Sequence, residues 1–424
     1  MALGAPLDQH TRESNSNELE NTQGYQTALY SLFVLFFMMG FITCLNDILL
    51  PYLKKVFELS YTQASLIQFS FFSAYGIMSI PSSMVIRKIG YKSTMIAGFS
   101  VAAAGCLLFL PAVSFHSYII FLVALFILAT GIVLLQVAGN PYVSILGSSE
   151  TSSARLTLAQ ALNSVGTFLA PYFGLYFILS KLKQSTDASA VEIPYIGLAV
   201  TLIVIAFILS RIKLPVVQTG GSSNDNTEGS AWDYSHLIFG VIAIFMYVGG
   251  EVAIGSYLIN YFAQPEIAGL TEETGAPFVS YYWGGAMVGR FVGTWLLSQY
   301  KPSKVLMTFS LLAVTMIVIS ISTTGAIAMW SIILVGFFNS IMFPTIFTLA
   351  VKGLGKHTAQ ASGFLSTAII GGAFIPLLFG MCVDMIKEST GDEAHGLRLA
   401  FLIPVICYLY IAWYGASGSK VKGQ

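Results

Sequence analysis

LYSLFVLFFMMGFITCLNDILL, Leu29 to Leu50, is apolar over a length that can cross the roughly 30 Å hydrocarbon core of a bilayer, yet it carries Asn46 and Asp47, with Thr43 one turn earlier. A carboxylate at such depth costs roughly 2.5–3.5 kcal/mol on insertion scales, so it should face a wet cavity, a partner or an ion rather than lipid. Asp47 is therefore a candidate functional group within a membrane protein. The competing reading is an interior structural hydrogen bond, a job that a neutral amide does at lower cost.

Composition agrees with the membrane reading. Of 424 residues, 55% are hydrophobic and 9% are charged, against about 25% charged in ordinary soluble domains. Twenty basic and twenty acidic side chains cancel, and no basic cluster is dense enough to track phosphates, so nucleic acid is not an expected partner. Cys44, Cys106, Cys382 and Cys407 lie in apolar stretches without zinc or redox spacing and read as small core hydrophobes. The first 25 residues are polar and lack a basic segment joined to a short apolar core, so the first long apolar run is expected to stay as a spanning helix.

Working outward, spanning runs fall near 28–50, 61–85, 93–113, 117–143, 156–179, 194–211, 235–262, 276–298, 303–322, 326–350, 358–386 and 397–416. The expected fold class is an all-α membrane protein with twelve transmembrane helices. The long polar interruption, Lys213 to Asp233, is too rich in Gly, Ser and Asn to build a core, and reads as a linker between two sets of six. The expected divisions are a tail over 1–27, a bundle over 28–212, a linker over 213–234, a second bundle over 235–416 and a tail over 417–424. Faint repetition supports them: Asn140-Pro141 and Phe343-Pro344 mark the fourth and tenth spans, while Ala159-Gln160 and Ala359-Gln360 open the fifth and eleventh. With the N-terminus inside, Arg87, Lys88, Lys92, Arg155, Arg211, Lys213, Lys301, Lys304, Lys352 and Lys356 fall on the inner side, against six basic residues opposite. Positive-inside bias thus puts both termini in the cytoplasm.

Polar residues inside the spans need an occupant. Thr43, Asn46 and Asp47 share span 1, Gln68 lies on span 2, Gln136 and Asn140 on span 4, and Gln160 and Asn163 on span 5. Thr43 and Asp47 are four apart and Gln160 and Asn163 three apart, so each pair shares a helical face. Amides both donate and accept, which suits a polyhydroxylated neutral solute better than an anion or a hydrocarbon. The alternative for any single amide is interhelical glue. From the C-terminal half come Asn339 and an aromatic run, Tyr281-Tyr282-Trp283, in which Trp283 is a candidate for covering the apolar face of a sugar ring. Glu251, among glycines on span 7, is a second intramembrane carboxylate, open to hydroxyl recognition, cation coupling or pairing with Arg290 on span 8. Arg290 itself is a gating or structural candidate. Pro171, Pro344 and Pro376, the last just after Gly371-Gly372, mark expected helix distortions.

Other chemistries find no support. Gly284-Gly285-Ala286-Met287-Val288-Gly289 follows no soluble strand and carries no phosphate-binding Lys. The five histidines form no metal tetrad or nucleophile triad, so neither an enzyme nor a bound organic cofactor is expected.

Several of these segments resemble bacterial sugar symporters of the fucose permease and glucose/galactose transporter group, within the major facilitator superfamily. The resemblance rests on Phe41-Ile42-Thr43-Cys44-Leu45-Asn46-Asp47-Ile48-Leu49-Leu50-Pro51, Ala64-Ser65-Leu66-Ile67-Gln68-Phe69 and Gln136-Val137-Ala138-Gly139-Asn140-Pro141. Leu158-Ala159-Gln160-Ala161-Leu162-Asn163-Ser164, Tyr281 to Arg290, and Asn339-Ser340-Ile341-Met342-Phe343-Pro344 extend it. It implies two pseudo-symmetric six-helix bundles around a hexose pathway, alternating access, and a cation moving with the sugar. In fucose permease the aspartate matching Asp47 takes part in proton coupling, and Asn163 matches a functional amide. This chain departs at Gln136, where fucose permease has glutamate, and at Gln360, where it has tyrosine. Glu251 and the span-8 aromatics look more like the glucose/galactose branch, some members of which use sodium. The turn Arg87-Lys88-Ile89-Gly90-Tyr91-Lys92 matches the superfamily's gate signature only loosely, since Arg87 stands in its acidic position.

The resulting expectation is a cation-coupled symporter of a neutral hexose, glucose or galactose, in a bacterial inner membrane, acting as a monomer among lipids. Sodium is favoured over a proton, with Asp47, Asn46 and Thr43 as candidate sodium ligands. Hydroxyl recognition is assigned to Gln68, Gln136, Gln160, Asn163, Glu251 and Asn339, with stacking by Trp283. Proton-coupled hexose or fucose symport, an uncoupled facilitator and a membrane sensor are the readings left open.

Overall fold

The computed structural model describes residues 25–44, 61–174, 192–212, 214–215 and 230–421. Among these the chain is helical throughout, with no strand. The helices are α1 (Tyr25–Cys44), α2 (Tyr61–Ser114), α3 (Tyr118–Ile145), α4 (Ser152–Gly174), α5 (Glu192–Arg211), α6 (Ser235–Ala263), α7 (Glu272–Gln299) and α8 (Pro302–Ser322). They continue as α9 (Gly325–Asn339), α10 (Met342–Ala350), α11 (Thr358–Thr367), α12 (Gly371–Thr390), α13 (Glu393–Ala400) and α14 (Leu402–Trp413).

Nine helical runs among the described residues are long and apolar enough to span a membrane. The spans expected at 61–85 and 93–113 form the single run α2, divided at Gly90, whose φ of 78° and ψ of 169° are open to glycine alone without strain. α4 and α7 are long helices that fall outside the nine. Their sequences explain it, since they carry Gln160, Asn163 and Ser164, and Arg290 and Thr294, on faces turned away from lipid.

Three expected spans are broken, two of them one turn before a proline. Proline lacks an N–H and its ring crowds the carbonyl four residues earlier. Pro344 points back to Ser340, where α9 gives way to α10, and Pro404 to Ala400, where α13 gives way to α14. The span expected over 358–386 becomes α11, a tight turn at Ala368–Ile370, and α12, so the distortion precedes Gly371, Gly372 and Pro376.

Helices up to residue 212 pack on one another, α2 on α3 and α5, and those from residue 235 onward likewise, α6 on α12 and α14, and α9 on α7 and α8. The two sets meet where α4 packs on α7 and α10, and α11 on α2 and α3. Large apolar side chains such as Ile77, Phe207, Trp295, Leu377, Met385 and Ile406 remain exposed around the outside, as a lipid-facing surface requires. Arg155, grouped by sequence with the loop cations, is instead buried. Its guanidinium donates to the carbonyls of Val143, Ser144 and Ser148, closing the end of α3 and fixing where α4 begins.

Candidate functional site

Two close backbone approaches set the position of the polar residues. A side chain on Gly40 would meet the carbonyl oxygen of Asn163 at 2.0 Å, so α1 and α4 touch backbone to backbone there. Likewise a side chain on Gly371 would meet the Phe245 carbonyl at 2.1 Å, drawing the start of α12 onto α6. Gly40 and Asn163, from the first of these contacts, both line a cavity of about 220 Å³. That is below the roughly 300–1,000 Å³ of drug-sized pockets, and suits a small polar solute.

Thr43, Gln136, Gln160, Asn163 and Thr167 line it from the N-terminal helices, and Tyr247, Glu251 and Arg290 from the C-terminal ones, with Tyr75, Ile132, Phe343 and Ile369 supplying apolar and aromatic wall. The Thr43 hydroxyl donates to the Met39 carbonyl at 2.8 Å, leaving its oxygen lone pairs for another partner. Asn163 Nδ2 donates to the Phe36 carbonyl at 3.0 Å, so this amide spans α4 to α1 and keeps its own oxygen free of that bond. Gln160 Nε2 lies 3.5 Å from Asn140 Oδ1. On the other wall Tyr247 Oη donates to Glu251 Oε1 at 2.8 Å, and Tyr282 Oη donates to the Glu251 carbonyl at 3.1 Å. Arg290 reaches across to α4, donating to the Gln160 carbonyl at 3.2 Å and to Ser164 Oγ.

The structure thus brings together Thr43, Gln136, Gln160, Asn163, Glu251 and Arg290. Trp283 and Asn339 are not in the lining. Trp283 is 45% exposed and packs edge-on against Tyr282. Asn339 is buried and donates Nδ2 to Tyr282 Oη at 2.7 Å, acting on Glu251 at one remove. Asn46 and Asp47 lie outside the described residues, as does the side chain of Gln68 on α2. Gln360 accepts from the Ala231 amide at 3.2 Å, away from the cavity. Tyr247, Tyr75, Phe343 and Ser164 were not read from sequence as site residues. Tyr247 and Ser164 carried a signal, each standing four residues after or before a chosen polar residue on the same helix. Among the described residues no group of His, Cys, Asp and Glu side chains could hold a metal ion.

Below the cavity, toward the turn joining α3 and α4, the two helix sets are held together. Ser153 Oγ and Thr348 Oγ1 are 2.6 Å apart, and Ser362 Oγ donates to the Val137 carbonyl at 2.8 Å. A wider recess of about 720 Å³ opens at that end, lined by Ser144, Ser153, Lys301, Thr348 and Lys352. Four hydrogen bonds that join the two sets, Ser153–Thr348, Ser362–Val137 and the two from Arg290, lie at the cavity or on this side of it.

The sequence matches the family model of the Major Facilitator Superfamily over residues 32–377. It is 51% identical to the glucose/galactose transporter of Brucella abortus over 95% of this chain and 97% of that protein. It is 36% identical to the L-fucose-proton symporter of Escherichia coli, over 89% and 90%. A crystal structure of the superfamily transporter FucP in the outward conformation superposes with a TM-score of 0.85 at 33% identity, covering 94% of this chain and all of that one.

Proposed function

Because the chain belongs to the Major Facilitator Superfamily, we propose that it imports a neutral hexose, glucose or galactose, together with a proton, by alternating access across a bacterial inner membrane. The observation that carries the reading is the amide-lined cavity between the two helix sets, facing a tyrosine-bonded carboxylate and an arginine. Amides satisfy hydroxyls that both donate and accept, while Tyr75, Phe343 and Ile132 offer surface to a sugar's C–H face. The hexose follows the glucose/galactose relative, and the proton follows the fucose relative, whose name states that ion. A proton therefore replaces the sodium favoured from Gln136 and the span-8 motif.

The proposed architecture is twelve spans in two six-helix bundles, 28–212 and 235–416, joined by the 213–234 linker, with both termini and both tails cytoplasmic. On that orientation Ser153–Thr348 and Ser362–Val137 lie on the cytoplasmic side of the cavity and form the proposed cytoplasmic gate. Hydroxyls and carbonyls hold this gate, where Arg87 stands in the acidic position of the family turn. Asp47 is the proposed principal coupling carboxylate. Gln68, Gln136, Gln160, Asn163 and Glu251 are proposed to take sugar hydroxyls, Asn339 to support Glu251 through Tyr282, and Arg290 to act in gating.

Alanine at Gln160 or Asn163 leaves hydroxyl partners unpaired and is expected to weaken sugar binding by about 1–3 kcal/mol, about 5- to 150-fold in affinity. Counterflow of radiolabelled glucose, galactose, fucose and mannose by wild type and each variant checks this. Unchanged affinity in folded Gln160→Ala and Asn163→Ala would make both amides structural.

A further inference from the structure

The cavity carries an amide on one wall and a carboxylate on the other. Gln136 on α3 and Glu251 on α6 both line it. Among the described lining residues Glu251 is the carboxylate and Arg290 the cation, yet no ion pair joins them. Arg290 is instead engaged with α4, through the Gln160 carbonyl and Ser164, while its buried Nε has no partner. Glu251 is held by hydroxyls: Tyr247 bonds its side chain, and Tyr282, itself receiving Asn339, bonds its backbone.

The decisive feature is which helices are involved. Arg290 and Glu251 sit on α7 and α6, packed together in one helix set, whereas the present acceptors of Arg290 sit on α4 in the other. Alternating access must separate α4 from α7 at this level. Arg290 then loses both protein acceptors, with its buried Nε already unpartnered. The acceptor that remains within its own set, in the same cavity, is Glu251. The groups facing Glu251 are Tyr247 on α6, Tyr282 and Arg290 on α7, and Tyr408 on α14. α10 presents Phe343 to the same cavity, and α12 places Ile375 and Gly371 against Gly249 near by.

Resting on proton symport as proposed above, we infer that Glu251 is a proton-carrying carboxylate, and that Arg290 moves from α4 to Glu251 during transport and so expels the proton. In the outward state one proton from outside binds a Glu251 carboxylate oxygen while Arg290 stays on Gln160 and Ser164. When α4 withdraws, an Arg290 N–H bonds the carboxylate, the carboxyl O–H breaks, and that proton leaves to water on the cytoplasmic side. One proton is taken up and one released, and Arg290 returns to α4 as the gate closes.

The test uses full-length protein in proteoliposomes, with counterflow, pH-gradient-driven accumulation and a trapped pH indicator read on the same preparations. Glu251→Gln keeps the Tyr247 partner and removes the titrating group. Its counterflow is expected to persist with a raised KM, while accumulation falls to about the equilibrium ratio and sugar-linked proton entry disappears, because the two sites are no longer linked. Glu251→Asp should restore part of the proton entry. Arg290→Gln should also lose accumulation, and the double variant should lose no more than Glu251→Gln alone, as for residues acting in one step. Accumulation and proton entry at wild-type levels in Glu251→Gln at saturating sugar, whatever its KM, would overturn the inference and leave Glu251 a sugar contact. If Glu251→Gln does not fold, Arg290→Gln decides on the same readouts. Wild type that shows no proton entry would instead overturn the symport reading itself.

Discussion

Asp47→Asn is expected to abolish concentrative uptake, bringing accumulated sugar to about the equilibrium ratio, while counterflow exchange falls far less, because the linkage between ion and sugar is what the charge provides. Asparagine keeps the shape and much of the hydrogen bonding of aspartate and removes its charge and its titration. A carboxylate is expensive at that depth and by default marks an ion or proton pathway. Accumulation and counterflow measured on one reconstituted preparation separate coupling from binding. Equal accumulation by mutant and wild type would refute the role of Asp47 and leave that of Glu251 standing.

Gly40→Val should be nearly as damaging, through geometry. Its first added carbon would lie 2.0 Å from the Asn163 carbonyl oxygen, a backbone atom that cannot rotate away. α1 and α4 must then part, carrying with them the bond from Asn163 Nδ2 to Phe36 and the N-terminal wall of the cavity. Overpacking of this kind costs about 1–3 kcal/mol or more. Transport is expected to drop at least about tenfold, the change that 1.4 kcal/mol produces, with a lower unfolding temperature in detergent. Gly284→Ala is the control, since an added carbon there meets nothing within 4 Å. A folded Gly40→Val variant with wild-type kinetics would show that this contact does not set the site.

Much of the fold could be read from run length and composition, because a bilayer demands long apolar helices. The breaks were less legible. Pro344 and Pro404 sit just after helix interruptions, whereas Pro81, Pro111, Pro141 and Pro277 stand inside unbroken helices, so the proline alone does not decide. Within the site, residues on N-terminal helices were legible as spaced amides, and the structure gathers Gln136, Gln160 and Asn163 around one cavity. The aromatic run on α7 was harder, because neighbouring helical residues point about 100° apart. Of Tyr281, Tyr282 and Trp283 only the middle one is buried, bonding Asn339 and Glu251, while Trp283 faces outward. The partners of Arg290 left little trace in sequence: one is a backbone carbonyl, and both lie on a helix more than a hundred residues away.

Sugar accumulation by the wild-type protein in proteoliposomes, with inward proton and inward sodium gradients imposed separately, tests the account most directly. It predicts glucose or galactose accumulation under the proton gradient, abolished by a protonophore and indifferent to sodium. Accumulation that requires the sodium gradient, or equilibration without accumulation under either gradient, would contradict it.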